Sequence, residues 1–219
     1  MKGREFRDLV FQQFASIANS FASPKRLEII DILAQGERDV DTLAKETGMN
    51  FANTSRHLLI MKSVKLLESR KDGVRVYYRI ANDHVIACWK NLQLLAENRV
   101  AELREITRSF FEERGELEPI SIEELWQRLQ NNEVTLIDVR PKEEFESGHI
   151  PGAVSIPLSE LKNKLVRIPT GKDVVAYCRG PYCVLAAEAI ALLKKYGYKS
   201  FRFKEDIYNW KEAGLPVES

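Results

Sequence analysis

Apolar residues recur at spacings of three and four over residues 5–20 (Leu9, Val10, Phe14, Ile17, then Phe21), which predicts a helix. Ser23-Pro24 reads as an N-cap followed by proline at the first helical position. A second helix over 25–34 turns Leu27, Ile30, Ile32 and Leu33 inward and stops near Gly36. Asp39 or Asp41 can cap a short helix over 42–47 that ends at Gly48, and Asn50 caps a fourth over 51–64. Strand-like runs at 66–71 and 74–80, joined by Asp72-Gly73, predict a two-residue hairpin. Its second strand alternates Val74, Val76, Tyr78 and Ile80 on one face with Arg75, Tyr77 and Arg79 on the other. From 83 to 111, Val85, Trp89, Leu92, Ala96, Val100, Leu103, Ile106 and Phe110 make one apolar stripe, predicting a single long helix. At about 40 Å it exceeds what a small domain covers, and a second copy of the chain is the simplest cover.

The pattern then lapses. Residues 112–119 are charged, hold Gly115 and Pro119, and read as a linker centred on 113–118. Ser121 and Glu124 form a capping box for a helix bearing Ile122, Leu125, Trp126 and Leu129. Strands at 134–139, 154–156, 174–177 and 200–203 alternate with helices at 142–147, 158–166 and from 184 onward, before a closing segment around Trp210. Such alternation predicts a parallel sheet with helices on both faces. Two domains are therefore expected. Residues 1–112 form a mainly α winged helix-turn-helix with a long dimerisation helix, and 119–219 form an α/β domain.

The composition, 44% hydrophobic and 30% charged, is that of an ordinary globular protein. No run approaches the roughly 18 apolar residues of a membrane span, and the first residues lack a signal-peptide core, so a cytoplasmic location without a membrane partner is expected. Three cysteines (Cys88, Cys178, Cys183) are no disulfide framework and point to catalytic, redox or metal chemistry. The net charge of +1 hides a local excess: residues 50–80 hold seven basic against two acidic side chains. That excess suits a polyanion. Helix 51–64 would enter the major groove with Asn53, Thr54, Ser55, Arg56 and His57 near its start and Lys62 further along. Arg70, Lys71, Arg75 and Arg79 on the hairpin would reach phosphates. The plainer alternative is a solvated charged face.

A second candidate site lies where the strand 174–177 ends at Cys178. Arg179 to Tyr182 form a tight turn into a helix N-terminus, whose N–H groups and dipole should push the thiol towards thiolate, with Arg179 acting the same way. The plainer alternative is a buried cysteine acting as a small hydrophobe.

The segment Ser23-Pro24-Lys25-Arg26-Leu27-Glu28-Ile29-Ile30, with Ser55-Arg56-His57-Leu58 and the Asp72-Gly73 wing, resembles the ArsR (arsenical-resistance repressor) family over about residues 5–95. The resemblance implies a homodimeric repressor on a palindromic double-stranded DNA operator, with 51–64 as recognition helix. Lys65 stands where that family often has Gly before the wing. Its metal-ligand positions are not matched: Glu37-Arg38-Asp39-Val40-Asp41 replaces a cysteine pair, and Leu95 replaces a second histidine after His84. His84 and Cys88 share a helical face, but two ligands are too few for a closed zinc site. No metal is expected, and Cys88 reads as structural.

Leu136-Ile137-Asp138-Val139-Arg140, Glu144 to Ala153, the Cys178 turn and the closing Trp210 to Val217 resemble the rhodanese family of sulfurtransferases over about 119–218. The resemblance implies that Cys178 takes sulfane sulfur as a persulfide, a covalent intermediate needing no other cofactor, and passes it from a donor to a thiol acceptor. The N–H groups from Arg179 through Gly180, Tyr182 and Cys183 to Val184 would cradle it, Arg179 would help an anionic donor such as thiosulfate, and Asp138, Arg140 and His149 would brace loops. Cys183 stands where many thiosulfate-using members have Arg, Pro181 removes one N–H, and Glu205-Asp206 replaces a Gly-Gly pair. Cys183 reads either as a resolving thiol towards Cys178 or as a half-buried helix-start cysteine. Val184 six residues after Cys178, where a phosphatase loop needs Arg, excludes that chemistry.

The expected protein is a repressor with a sulfur-transferring domain, linked to sulfur or redox metabolism. Two alternatives stand beside it. One is a metal- or redox-sensing repressor with an inert rhodanese half; the other is a sulfurtransferase that uses the winged helix only to dimerise.

Overall fold

The computed structural model describes residues 1–112 and 120–219, so the linker expected at 113–118 lies outside the described residues. The chain divides into two compact units, Met1–Asn98 and Arg99–Ser219.

The first unit runs α1 (Gly3–Phe21), α2 (Pro24–Leu33), β1 (Arg38–Asp39), α3 (Val40–Thr47), α4 (Phe51–Ser63), β2 (Leu67–Asp72), β3 (Arg75–Ile80) and α5 (Asp83–Arg99). Its core is Ile29, Ile30, Leu43, Leu58 and Met61, all fully buried, with Leu67, Tyr78 and Val85 around them. The Arg26 guanidinium donates to the Ser20 and Asn19 carbonyls at 2.7 and 2.6 Å, satisfying the end of α1 and fixing its corner with α2. Asp39 caps α3 by accepting from the Thr42 N–H at 2.8 Å, and Asn50 caps α4 by accepting from Asn53 at the same distance. Trp89 Nε1 donates to Asp31 at 3.0 Å and ties α5 to α2.

Three details depart from the expected layout. Strands β2 and β3 pair from Leu67↔Ile80 to Asp72↔Arg75, so the turn is Gly73-Val74 rather than Asp72-Gly73. The reason is conformational: Gly73 takes a φ of 58° at the first central position, sparing Asp72 a left-handed backbone. Strand β1 adds a third, unforeseen strand beside β3. The stripe from 83 to 111 is two helices, α5 and α6 (Ala101–Glu112), interrupted at Val100 where Asn98 and Val100 lower the helical propensity. Apolar side chains also stand open on two helices: Phe6, Leu9, Phe11 and Phe14 of α1 are exposed, as are Leu94 and Leu95 of α5.

The second unit continues from α6 with α7 (Ile122–Gln130), β4 (Val134–Asp138), α8 (Lys142–Ser147), β5 (Val154–Ser155), α9 (Leu158–Lys164), β6 (Asp173–Tyr177), α10 (Val184–Lys195), β7 (Ser200–Arg202) and α11 (Ile207–Glu212). Its sheet has the order β5-β4-β6-β7 and every pairing is parallel, as the alternation of elements predicts. Side chains of β6 alternate between two cores. Val174 and Ala176 pack with Ala186 and Ile190 of α10, whereas Val175 and Tyr177 pack with Trp210 of α11. Cys178 continues the α10 side. No helix among the described residues is long and apolar enough to cross a membrane.

Lys65 explains a local cost. It holds a φ of 61°, while the Leu66 N–H reaches the Met61 carbonyl at 3.0 Å and its own N–H reaches Lys62 at 2.9 Å. This is the two-bond helix terminator that ordinarily places Gly in the left-handed position. Relief of about 1–2 kcal/mol of strain, less roughly 0.4–1 kcal/mol of added unfolded-state entropy, leaves a net gain for Lys65→Gly. A higher urea midpoint with unchanged slope is the expected readout.

Candidate functional site

Strand β6 delivers Cys178 to the carboxyl end of the sheet, and six residues later α10 begins. The Cys183 N–H closes the turn on the Gly180 carbonyl at 3.2 Å. Gly180 has a φ of 119°, and a Cβ there would stand 3.3 Å from Asp206 Oδ2. Asp206, one of the pair replacing Gly-Gly, is buried against the loop and caps α11 by accepting from Asn209 at 2.9 Å.

Cys178 is 1% exposed. Its thiol lies 3.6 Å from the Cys183 carbonyl oxygen. The expected thiolate at Cys178 is corrected here: burial pushes its pKa well above the ordinary value, and the hydrogen bond and charge of Cys183 act the same way. The N–H groups of Ala186 and Gly180 oppose this but do not outweigh desolvation. Cys183, only partly buried, moves the other way, to about 7. The Cys178 thiol donates to it, burial opposes, and the N–H groups of Arg179 and Leu185 with the Arg179 charge complete the shift. Of the two, the sulfur nearer solvent is the one whose ionisation is favoured.

Arg179 does not face an incoming anion. Its Nε lies 3.1 and 3.2 Å from the two carboxylate oxygens of Glu144 and its terminal nitrogen 2.5 Å from one of them, and that carboxylate is fully buried. The charge assigned to the donor is therefore committed to α8, and Arg179 braces the loop. Asp138 and Arg140 make a second buried pair at 2.6 Å, and Arg140 also reaches the Gly148 carbonyl at 2.8 Å. His149 stacks on Phe145 at 3.7 Å. Around the mouth, Pro181 and Tyr182 are half-buried and Val184 is exposed. The Pro181 carbonyl accepts from Arg202 at 3.3 Å, and the Arg202 guanidinium lies 3.8 Å from the Phe111 ring centroid of α6. Glu144 and Arg202 were not recognised as loop partners from sequence. Glu144 sits in the motif that carries the rhodanese resemblance, but nothing local marks Arg202.

In the first unit, Asn53, Arg56 and Lys62 of α4 are exposed, while Ser55 and His57 are half-buried. Thr54 is a correction: it is fully buried and donates to the Asn50 carbonyl at 3.0 Å, because it shares the inward face with Leu58 and Met61. His57 has its pKa lowered by burial and by Arg26 and Arg56, so it is neutral at pH 7. Lys62 reaches Ser69 on the wing at 2.6 Å. The wing arginines carry carboxylate partners: Arg70 on Glu37 at 2.6 Å, Arg75 on Asp39 at 3.3 Å, Arg79 on Glu68 at 2.7 Å. The Arg70 and Arg79 pairs are open to solvent and therefore weak, so a phosphate can replace the carboxylate at little cost, whereas the Asp39 partner of Arg75 is buried. Lys71 is exposed. The outward surface also shows Leu59 and the wing-tip Val74, neither of which the charge pattern singled out.

The model of the bacterial regulatory protein arsR family matches residues 23–69, and that of the rhodanese-like domain matches 121–213. The HTH-type transcriptional regulator Rv0324 of Mycobacterium tuberculosis is 39% identical over 209 residues, 95% of this chain and 92% of that protein. The chain belongs to the ArsR family and carries a rhodanese-like domain. A sulfurtransferase of Allochromatium vinosum is 35% identical over 100 residues, 45% of this chain and 92% of that protein. A solved homodimeric winged helix-turn-helix DNA-binding domain from Mycobacterium bovis is 36% identical with a TM-score of 0.43, over 47% of this chain and 93% of that one.

Two measurements check the electrostatics of this ArsR–rhodanese chain. Alkylation of Cys183 by iodoacetamide should be half-maximal near pH 7, against about 8.5 for a free thiol, with Cys178 unmodified. Glu144→Ala leaves Arg179 without its buried partner and should lower unfolding stability by about 3 kcal/mol, whereas Val184→Ala should leave it within about 0.5 kcal/mol.

Proposed function

We propose that the chain is a dimeric repressor that reads a palindromic operator in double-stranded DNA and takes sulfane sulfur on Cys178 as a persulfide, in the service of sulfur or redox metabolism. The observation that carries the sulfur half is the position of Cys178, at the carboxyl end of β6 with the Gly180 and Ala186 N–H groups facing its sulfur. Transfer of the Cys178 proton to the Cys183 thiolate makes Cys178 the thiolate. That thiolate attacks the outer sulfur of a donor such as thiosulfate, the donor S–S bond breaks, and sulfite leaves with the electron pair. An acceptor thiolate then attacks the terminal sulfur and regenerates Cys178.

Supporting the DNA half are the outward Asn53 and Arg56 of α4, with Lys62, Lys71 and the exchangeable wing arginines beside them. The exposed apolar residues Phe6, Leu9, Phe11 and Phe14 of α1 and Leu94 and Leu95 of α5 support the dimer, since clustered apolar exposure marks an interaction surface.

The burial of Cys178 favours a second reading, a redox-sensing repressor whose rhodanese half does not turn over. Sulfite release from thiosulfate, with polysulfide as a parallel donor, separates the two. Wild type should transfer sulfur and Cys178→Ala should not, with DNA binding retained. Absence of transfer from either donor would leave the second reading standing. Arg56→Ala should weaken binding to the chain's own promoter DNA by about tenfold or more. Lys71→Ala should instead reduce the slope of log affinity against log salt by about one.

A further inference from the structure

The loop holds two sulfurs where sulfur carriage needs one. Cys178 and Cys183 flank a four-residue turn that the Cys183 N–H closes on the Gly180 carbonyl at 3.2 Å, and the Cys178 thiol lies 3.6 Å from the Cys183 carbonyl oxygen. The Gly180 and Ala186 N–H groups act on Cys178, and those of Arg179 and Leu185 act on Cys183. Cys183 is also the better placed for attack, being at the N-cap of α10, partly open to solvent and beside the Arg179 guanidinium. Neither sulfur has a disulfide partner in this structure.

Resting on the persulfide reading of Cys178, we propose that Cys183 is a resolving nucleophile that converts the Cys178 persulfide into a Cys178–Cys183 disulfide and releases hydrosulfide. The Cys183 thiolate forms a bond to Cys178 Sγ. The bond between Sγ and the sulfane sulfur breaks, and its electron pair leaves on that sulfur as HS⁻. The two cysteine sulfurs are oxidised, the sulfane sulfur is reduced, and no other oxidant enters. The persulfide proton stays with the leaving sulfur; if the persulfide is already ionised, the leaving sulfur takes one from water.

Attack within the turn is intramolecular, so it competes with any dissolved acceptor thiol at high effective concentration. Sulfur that reaches Cys178 is thus registered as a protein disulfide as well as passed on. A disulfide needs an S–S distance of about 2.05 Å, so closing it requires a shift of the four-residue turn between the two cysteines. Gly180, at its middle, has the backbone freedom for that shift, with a φ of 119°.

The test uses the full chain, reduced, held without oxygen and mixed with thiosulfate or polysulfide in the absence of free thiol. Mass is read after rapid acid quench, and hydrosulfide is assayed in the thiosulfate arm. Wild type should lose about 2 Da, yield a Cys178–Cys183 cross-linked peptide and release one hydrosulfide per disulfide. Cys183→Ser should instead gain about 32 Da and keep it at least about tenfold longer than wild type. Serine is a favoured helix cap, so this variant is expected to fold. A wild-type persulfide as long-lived as that of Cys183→Ser, or a disulfide without hydrosulfide, overturns the inference and leaves the persulfide reading intact. No sulfur on either protein overturns both.

Discussion

A carboxylate with no solvent exposure must be met by a cation within hydrogen-bonding reach, and at Glu144 that cation is the residue immediately after Cys178. The loop takes its shape from this requirement. With Arg179 anchored on α8, the peptides that follow are turned towards the two sulfurs. The positive charge then lies where it favours Cys183. Asp138 and Arg140 repeat the arrangement one layer deeper, joining the end of β4 to the turn after α8 through the Gly148 carbonyl. Two guanidinium groups, each on a buried carboxylate, therefore hold together the segments around the thiols.

Burial decides the role of similar groups across the molecule. Arg179 and Arg70 each pair with a glutamate, but the first pair is sequestered and the second is exposed. Breaking the first strands a charge in a poor solvent, whereas opening the second returns both partners to water. One is a fixture of the loop, and the other is a reserve of charge on the wing. The same competition governs the thiols: N–H groups surround both sulfurs, yet only the one nearer solvent gains a lowered pKa.

Most of the architecture is legible in local chemistry. Asp39, Asn50 and Ser121 all cap the helices that their positions announce, and the alternation of strands and helices after residue 120 gives the parallel sheet. The failures have physical causes. An apolar stripe looks the same whether its cover comes from its own unit or from another copy, so the pattern of α1 does not announce that the helix is open in the fold. The break at Val100 carries neither Gly nor Pro to announce it. Thr54 was recoverable, because it lies four and seven residues before Leu58 and Met61 on the inward face. The ionisation of Cys178 was not, since desolvation depends on everything packed around it. Nor could sequence pair Arg179 with a glutamate 35 residues away.

The placement of Phe111 bears on how such a protein could be assembled from parts. Similarity to rhodanese-like domains begins at residue 121, yet the second compact unit begins at Arg99. Phe111 is buried beneath Arg202, and Arg202 in turn reaches the carbonyl of Pro181 in the cysteine loop. The inheritable module and the folding module are therefore different lengths of chain. Chain upstream of the similarity boundary thus reaches, through Phe111 and Arg202, the loop that carries the cysteines.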